Sequence, residues 1–269
     1  MPHTPTSFIW YELMTPDLDG AKAFYDAVVG WRIDGPGEQP GDDFYRMIMR
    51  GADAATGGAT GGALRLSDAM IAGGARPTWL CYLHVDDLDA KAAEIVAEGG
   101  RQIMPPQDIP HGRFTMVTDP QGQPFYLMQP TPPADAPDAV STVYDRTTPQ
   151  HMSWNELVTP DLAAAKAFYA RHFGFAFDRS LAMGDLGEYC FIDQNGVDIG
   201  AVMQAPPGLE PSGWTFYIRV ADIDRAAAAV TACGGQVVRG PHPVPGGDWT
   251  LNGIDPQGAA FALVGHKEA

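Results

Sequence analysis

Two glutamates stand at equivalent positions of a repeated motif and are the strongest candidates for chemistry. The motif reads Trp10-Tyr-Glu12-Leu in its first copy and Trp154-Asn-Glu156-Leu in its second. If each copy is a half-buried strand, alternation places the tryptophan and the glutamate on the same face. A carboxylate on an apolar face needs a partner, or its pKa rises, and such groups are frequent in functional sites. We therefore assign Glu12 and Glu156 as candidate catalytic residues.

The same pattern has a structural interpretation. Each glutamate could accept hydrogen bonds from neighbouring backbone groups, or could pair with an arginine that fixes the fold. Structural ion pairs also perturb carboxylates, so the residue pattern leaves both interpretations open.

Aromatic and other polar side chains fall on the same predicted faces as the two glutamates. The candidate ligand-binding residues are Trp10, Tyr45, Tyr82, His84 and Tyr126 in the first half of the chain, and Trp154, Tyr189 and Tyr217 in the second. A lining of this kind suits a flat, partly apolar ligand that is held by stacking and a few oriented polar groups. The alternative is that several of these rings fill a closed core.

The elements that must position these residues follow from the repeat. Residues 8–31 and 152–175 are identical at 13 of 24 positions, and both copies run from the strand through Thr-Pro-Asp-Leu into Ala-Lys-Ala-Phe-Tyr. A repeat of this quality predicts two similar structural halves. A second pair of related segments begins at Trp79 and at Trp214, and Asp-Pro-Gln-Gly turns follow at 119–122 and 255–258.

Four helices are predicted, each with an aspartate at its start and a glycine at its end. Asp is an effective N-cap, and glycine is the residue that most easily adopts the left-handed conformation after a helix. The helices are expected at 18–29, 88–98, 162–173 and 223–233. A segment rich in Pro, Ala, Asp and Thr separates the halves, so we predict domains at 1–130 and 151–269 with a linker at 131–150.

Composition excludes several classes of protein. The chain has 269 residues and a net charge of −16, which disfavours binding to nucleic acid or to anionic membranes. No apolar run is as long as a membrane span, and the N-terminus lacks the pattern of a signal peptide. Three cysteines without metal-binding spacing are typical of a reduced, cytoplasmic protein. We expect a monomer or homodimer with a small-molecule partner.

Taken together, these motifs resemble the glyoxalase/bleomycin-resistance/dioxygenase group, the vicinal oxygen chelate superfamily. The shared signature is a strand, an Asp-Leu helix start, Phe-Tyr within the helix, a closing Gly, and Asp-Pro-x-Gly before the last strand. The resemblance implies an α+β fold with two tandem glyoxalase-like domains. Each domain would consist of paired βαβββ modules that form a curved mixed sheet around a cleft.

The resemblance also indicates where a metal site would lie. Metal enzymes of this group carry a His or Gln on the first strand of a module and a Glu on the last strand. The corresponding residues here are Trp10, Leu80, Trp154 and Thr215 on first strands, and Tyr126 and Ala262 on last strands. None is a usual ligand for a divalent metal, so we expect no metal and no other cofactor.

Two functions are consistent with these observations. The first is a protein that binds a small, aromatic or partly apolar metabolite in its cleft without the usual metal site. The alternative is a glyoxalase-like or hydroxylase-like enzyme, a lyase or isomerase, that uses Glu12 or Glu156 as general base. Tyr82, His84 and Tyr126 give the first half more polar groups than the second, which favours it as the working cleft.

Overall fold

The computed structural model of this chain describes residues 8–39, 41, 43–51, 57–137, 139–208 and 213–267. These residues form four copies of one arrangement, which we number modules 1 to 4 in chain order. Each module has a strand, a helix and then further strands joined as antiparallel hairpins. This is the βαβββ arrangement predicted from the sequence, with one additional short strand in module 2, and the prediction of an α+β fold is confirmed.

Modules 1 and 2 lie in the first half of the sequence. Module 1 contains β1 (Phe8–Thr15), α1 (Leu18–Val29), β2 (Arg32–Ile33), β3 (Tyr45–Met49) and β4 (Ala59–Arg65), followed by a short helix, α2 (Asp68–Ala72). Module 2 contains β5 (Thr78–His84), α3 (Leu88–Ala97), β6 (Arg101–Gln102), β7 (Gln107–Ile109), β8 (Gly112–Thr118) and β9 (Pro124–Pro130).

Modules 3 and 4 lie in the second half. Module 3 contains β10 (Met152–Thr159), α4 (Leu162–Phe173), β11 (Ser180–Ala182), β12 (Glu188–Gln194) and β13 (Val197–Gln204). Module 4 contains β14 (Gly213–Val220), α5 (Ile223–Ala232), β15 (Gln236–Pro243), β16 (Trp249–Ile254) and β17 (Ala260–Gly265).

All four modules share one strand order. The first strand of a module pairs in parallel with its last strand, and the last strand pairs antiparallel with the strand before it. The orders are β2-β3-β4-β1, β6-β8-β9-β5, β11-β12-β13-β10 and β15-β16-β17-β14. The parallel pair is possible because the helix forms the crossover between the two strands.

The predicted helix starts and ends agree with the structure to within one residue. Asp17, Asp87, Asp161 and Asp222 all cap their helices by accepting hydrogen bonds from backbone N–H groups of the first turn. In α1 and α4 the closing glycine is left-handed, with φ of 81° at Gly30 and 66° at Gly174. These caps fix where each first strand turns into its helix.

Contacts between Cα atoms divide the chain into two compact units. Unit I contains residues 10–79, 142–153 and those from 215 onward, so it combines modules 1 and 4. Unit II contains residues 80–141 and 154–214 with the segment ending at Ile9, so it combines modules 2 and 3. Each unit takes one module from each half of the sequence. The division into 1–130, 131–150 and 151–269 describes the sequence repeat, and as a division into domains it stays a prediction.

A buried tyrosine joins the two modules within each unit. In unit I, Tyr25 of α1 donates to Asp255 (3.0 Å) and accepts a hydrogen bond from the Trp79 indole (3.0 Å). In unit II, Tyr169 of α4 is hydrogen-bonded in the same way to Asp119 (3.1 Å) and to Trp214 (3.0 Å). Burial raises the pKa of both tyrosines well above the ordinary value, so both phenols are neutral hydrogen-bond donors.

Part of the predicted linker is packed in unit I. The Gln150 side chain donates to Gly30 O (2.7 Å) and accepts from Gly51 N (2.7 Å). The backbone carbonyl of Gln150 accepts from the Trp31 indole at 2.8 Å. Residues at the end of the Pro-rich segment therefore have defined partners in module 1.

Among the described residues, no helix is both long and apolar enough to cross a membrane.

We predict that Tyr25→Phe and Tyr169→Phe each lower stability by about 1–3 kcal/mol, because each removes the partner of a buried carboxylate and of a buried indole. For a chain of this size the melting temperature should fall by about 2–4 °C per kcal/mol. Thermal unfolding of the two variants should give similar losses. A double-mutant cycle of Tyr25→Phe with Asp255→Asn should be less than additive, and additive costs would contradict the pairing.

Candidate functional site

The candidate carboxylate of the second half belongs to a hydrogen-bonded chain of three side chains. The Trp154 indole donates to Tyr189 Oη at 2.8 Å, and Tyr189 Oη donates to Glu156 Oε2 at 2.7 Å. All three residues are half-buried. A short hydrogen bond to a carboxylate is of the charge-assisted kind and is stronger than a bond between neutral groups. The phenol therefore links the indole to an oriented carboxylate.

Strand alternation and register bring these side chains together. Trp154 and Glu156 lie two residues apart on β10, so they share a face, while Asn155 and Leu157 between and beside them are buried on the opposite face. Glu156 pairs in register with Ala201 of β13, and Ala201 pairs with Phe191 of β12. Residues that are paired in register point to the same side of the sheet, so a carboxylate, a methyl group and an aromatic ring lie side by side.

Module 1 contains the corresponding cluster. The Trp10 indole donates to Tyr45 Oη at 3.0 Å, and Glu12 is buried with 3% of its surface exposed. Burial raises the pKa of Tyr45 well above its usual value, the negative charge of Glu12 adds to this rise, and the hydrogen bond from Trp10 opposes it. Tyr45 is thus a neutral phenol that can accept from one group and donate to another.

One residue distinguishes the two clusters. Glu12 pairs in register with Gly62, at the position where module 3 has Ala201. A Cβ atom added to Gly62 would overlap the hydroxyl and ring of Tyr45. Tyr45 therefore occupies space that a methyl group takes in module 3. Gly62 and Ala201 lie outside the repeated segments 8–31 and 152–175, so only the strand register shows that they correspond.

The remaining predicted ligand-binding residues lie on β5 and β9 of module 2 and on β14 of module 4. Tyr82 and Tyr126 are paired in register and their rings stack at 4.2 Å with an interplanar angle of 15°. Phe114, which the sequence reasoning missed, contacts both rings. Tyr82, Tyr126 and Tyr217 are buried, whereas His84 is half-buried. Their role in ligand binding stays a prediction.

Sequence reasoning also missed two residues beside the module 3 cluster. The Phe191 ring lies edge-on to Trp154 (6.1 Å) and to Tyr189 (5.8 Å), and the Arg179 guanidinium lies 5.2 Å from its centre. Phe191 is two residues after Tyr189 on one strand, so alternation could have identified it. A shallow pocket of about 260 Å³ adjoins this ring and is lined by Asp178, Arg179, Phe191 and Asp193.

Four of the six residues at the positions where the resemblance places metal ligands have no atom that could bind a divalent cation. The indole of Trp10 and that of Trp154 act as hydrogen-bond donors, and an indole offers no ligand atom. Leu80 and Ala262 carry only hydrocarbon side chains. Within the described ranges, no three His, Cys, Asp or Glu side chains are grouped so that they could hold a metal ion. No chemical step is therefore assigned to a metal at these positions.

The chain belongs to the Glyoxalase/Bleomycin resistance protein/Dioxygenase superfamily, whose family model matches residues 7–127 and 148–263. The two matched segments correspond to the two copies of the sequence repeat. The recognition made from the sequence motifs is confirmed.

Known proteins of this superfamily are similar to the chain over different lengths. A Mycobacterium tuberculosis protein, CFP32, named as a candidate glyoxylase, is 40% identical over 127 residues, and the match covers 47% of this chain and 45% of CFP32. The chain thus spans about half the length of that relative. The anthracycline biosynthesis protein DauV of Streptomyces sp. (strain C5) is 26% identical over 271 residues, covering 98% of this chain and 95% of DauV.

A solved structure supports the fold alone. The Mn(II)-bound glyoxalase from Novosphingobium aromaticivorans superposes with a TM-score of 0.61 and 19% identity, covering 98% of this chain and 83% of that enzyme.

We predict that Gly62→Ala displaces Tyr45 and weakens its hydrogen bond with Trp10, at a cost of roughly 1–3 kcal/mol in unfolding free energy. The matched variant Ala201→Gly adds space instead of removing it and should cost about 1 kcal/mol. Chemical denaturation gives both values, and near-ultraviolet circular dichroism reports on the displaced aromatic rings. In a Tyr45→Ala background the Gly62→Ala cost should disappear, and a cost that persists there would contradict this explanation.

Proposed function

We propose that this protein binds a small, aromatic or partly apolar metabolite at its Trp–Tyr–Glu clusters without the metal site usual in the superfamily. The observation that carries the proposal is the hydrogen-bonded chain from Trp154 through Tyr189 to Glu156, with its counterpart at Trp10, Tyr45 and Glu12. Both tryptophans are half-buried, so part of each ring is accessible, and the indole N–H of each is held by a tyrosine hydroxyl.

The chemistry of these clusters favours a particular kind of ligand. Aromatic side chains bind flat apolar surfaces, and their faces and edges impose an orientation on a bound ring. The carboxylate accepts hydrogen bonds, so a ligand with hydroxyl or amine donors would be recognised beside the rings. Tyr82, His84, Tyr126 and Tyr217 are proposed as further contacts to the same class of ligand.

The name of one relative, DauV, is consistent with an aromatic ligand. DauV, which aligns over nearly the whole chain, is named for anthracycline biosynthesis. Anthracyclines are polycyclic aromatic compounds, and a cleft with tryptophan and tyrosine side chains suits compounds of that kind.

One observation favours the alternative function, a glyoxalase-like or hydroxylase-like lyase or isomerase. The 2.7 Å hydrogen bond between Tyr189 and Glu156 aligns a proton donor with a carboxylate, which is the arrangement that a general base and its orienting group require. In this case Glu156, or Glu12 in the other cluster, would take a proton from the substrate. A ligand that is returned unchanged from the protein would argue for binding, and a converted ligand would argue for catalysis.

We predict that the protein purified without added metal contains less than stoichiometric divalent metal. Added Ni²⁺, Zn²⁺ or Mn²⁺ should leave its melting temperature unchanged, because the superfamily's ligand positions carry Trp, Leu, Thr, Tyr and Ala, none of which is a usual ligand for these ions. An aromatic metabolite at 100 times its dissociation constant should stabilise the fold by about 2.7 kcal/mol. Elemental analysis and thermal-shift measurements against both panels test the proposal. Stoichiometric metal bound through β1, β5 or β9, or through β10, β14 or β17, would contradict it.

We predict that Glu156→Gln and Glu12→Gln weaken ligand binding by about tenfold, since each keeps the shape of the side chain and removes its charge. If the glutamates serve the ligand, the melting temperature should change little. Removal of one partner of a buried structural charge pair would instead cost about 3–5 kcal/mol. Glu188→Gln is the matched control, because Glu188 lies on β12 beside Tyr189 but is exposed. Equal losses of affinity in all three variants would contradict a specific role.

A further inference from the structure

A buried arginine in unit I, Arg219, is paired with the carboxylate of Asp248. Arg219 lies on β14, two residues after Tyr217, so the two side chains share a face. Its guanidinium donates two parallel hydrogen bonds to Asp248, at 2.8 and 2.9 Å. Only 4% of the Arg219 side chain is exposed, against 23% for Asp248, so the aspartate lies on the outer side of the pair. Solutes would therefore approach the guanidinium from the position of Asp248.

The aspartate belongs to a turn and not to a regular strand. Residues 244–248 connect β15 to β16, and a hydrogen bond from Val244 N to Asp248 O closes the turn at 2.9 Å. Gly246 and Gly247 have φ of +101° and +91°, and no atom lies within 4 Å of a Cβ added at either position. Glycines in open space can change conformation at low cost. We therefore expect that the turn can move Asp248 away from Arg219 while β15 and β16 stay paired.

A second basic side chain adjoins the same carboxylate. His266 Nδ1 lies 3.0 Å from Asp248 Oδ1, and His266 Nε2 lies 3.3 Å from a guanidinium nitrogen of Arg219. His266 is 70% exposed. Because a guanidinium only donates, Nε2 accepts this contact and Nδ1 presents its N–H to Asp248, so donors from two side chains converge on one carboxylate.

We propose that Arg219 anchors a binding site for the carboxylate of a small aromatic acid, and that Asp248 fills the site as an internal substitute when no ligand is bound. A planar guanidinium matches a carboxylate in a bidentate geometry, so exchange of one carboxylate for another keeps the buried charge paired. Tyr217 on the same face would contact the ring. The aromatic part of this inference rests on the proposed function, whereas the carboxylate part rests on Arg219 and Asp248 alone.

The test uses benzoate and its neutral analogue benzamide as probes of the full chain in calorimetric titrations. Asp248→Asn removes the competing charge and should tighten benzoate binding by about tenfold while leaving benzamide unchanged. The double variant Arg219→Gln/Asp248→Asn should lose this gain. Asp108→Asn is the matched control, because Asp108 also pairs with an arginine at a hairpin, but Arg113 is 39% exposed there. If the Asp248→Asn protein is folded but binds benzoate no more tightly than the Asp108→Asn control does, the proposal is overturned.

A second measurement needs no variant. Saturating benzoate should raise amide hydrogen exchange in residues 244–248 of the unmodified protein, and benzamide should not. Unchanged exchange with bound benzoate would also overturn the proposal.

Acetate separates the carboxylate part of the inference from the aromatic part. If Asp248→Asn tightens the binding of acetate and of benzoate equally, the carboxylate anchor stands and the aromatic contact fails. Benzamide binding to the Glu156→Gln variant tests the proposed function independently. Loss of binding supports the proposed function, and unchanged binding contradicts it.

Discussion

The buried hydrogen bond between a helix tyrosine and the aspartate of an Asp-Pro-Gln-Gly turn is the constraint on which each compact unit depends. In unit I one oxygen of Asp255 accepts from the backbone of its own turn, and the other accepts from Tyr25 of module 1. The same aspartate therefore fixes a turn and joins two modules. Burial raises the pKa of Asp255, while its hydrogen bonds lower it, so the carboxylate depends on those donors for its place in the core.

The helices that carry these two tyrosines also fix the position of the candidate sites. Tyr25 and Tyr169 lie on the helices that follow β1 and β10, and the Asp caps determine where those strands end. Once a strand end is fixed, alternation determines which side chains face the core and which face the other side. In β10, Leu157 packs in the core while Glu156 lies with Tyr189 on the opposite face. A shift of one residue would exchange them.

The two copies of the repeat share this framework but differ in residues around the candidate sites. The Trp–Tyr pair occurs in modules 1 and 3 with nearly equal geometry. Around it, Ala201 replaces Gly62, and Phe191 stands where module 1 has Met47 on the corresponding strand. Modules 2 and 4 differ as well, since module 4 has the buried Arg219 where module 2 has His84. These differences include tightly packed positions, because Ala201 is fully buried and a Cβ atom at Gly62 would overlap Tyr45.

Local signals in the sequence determined the modules. Asp caps, closing glycines and strand alternation specify each element from neighbouring residues alone, so the helices and the faces of Glu12 and Glu156 could be predicted. The repeated motifs also indicated the family, because they consist of the same local signals. Which modules pack together was decided by the tertiary structure, because the four modules share one pattern and Tyr25 has no local signal that selects Asp255 over Asp119. The partners of Glu156, the overlap between Tyr45 and position 62, and the pairing of Arg219 with Asp248 likewise depend on strands and turns that are distant in sequence.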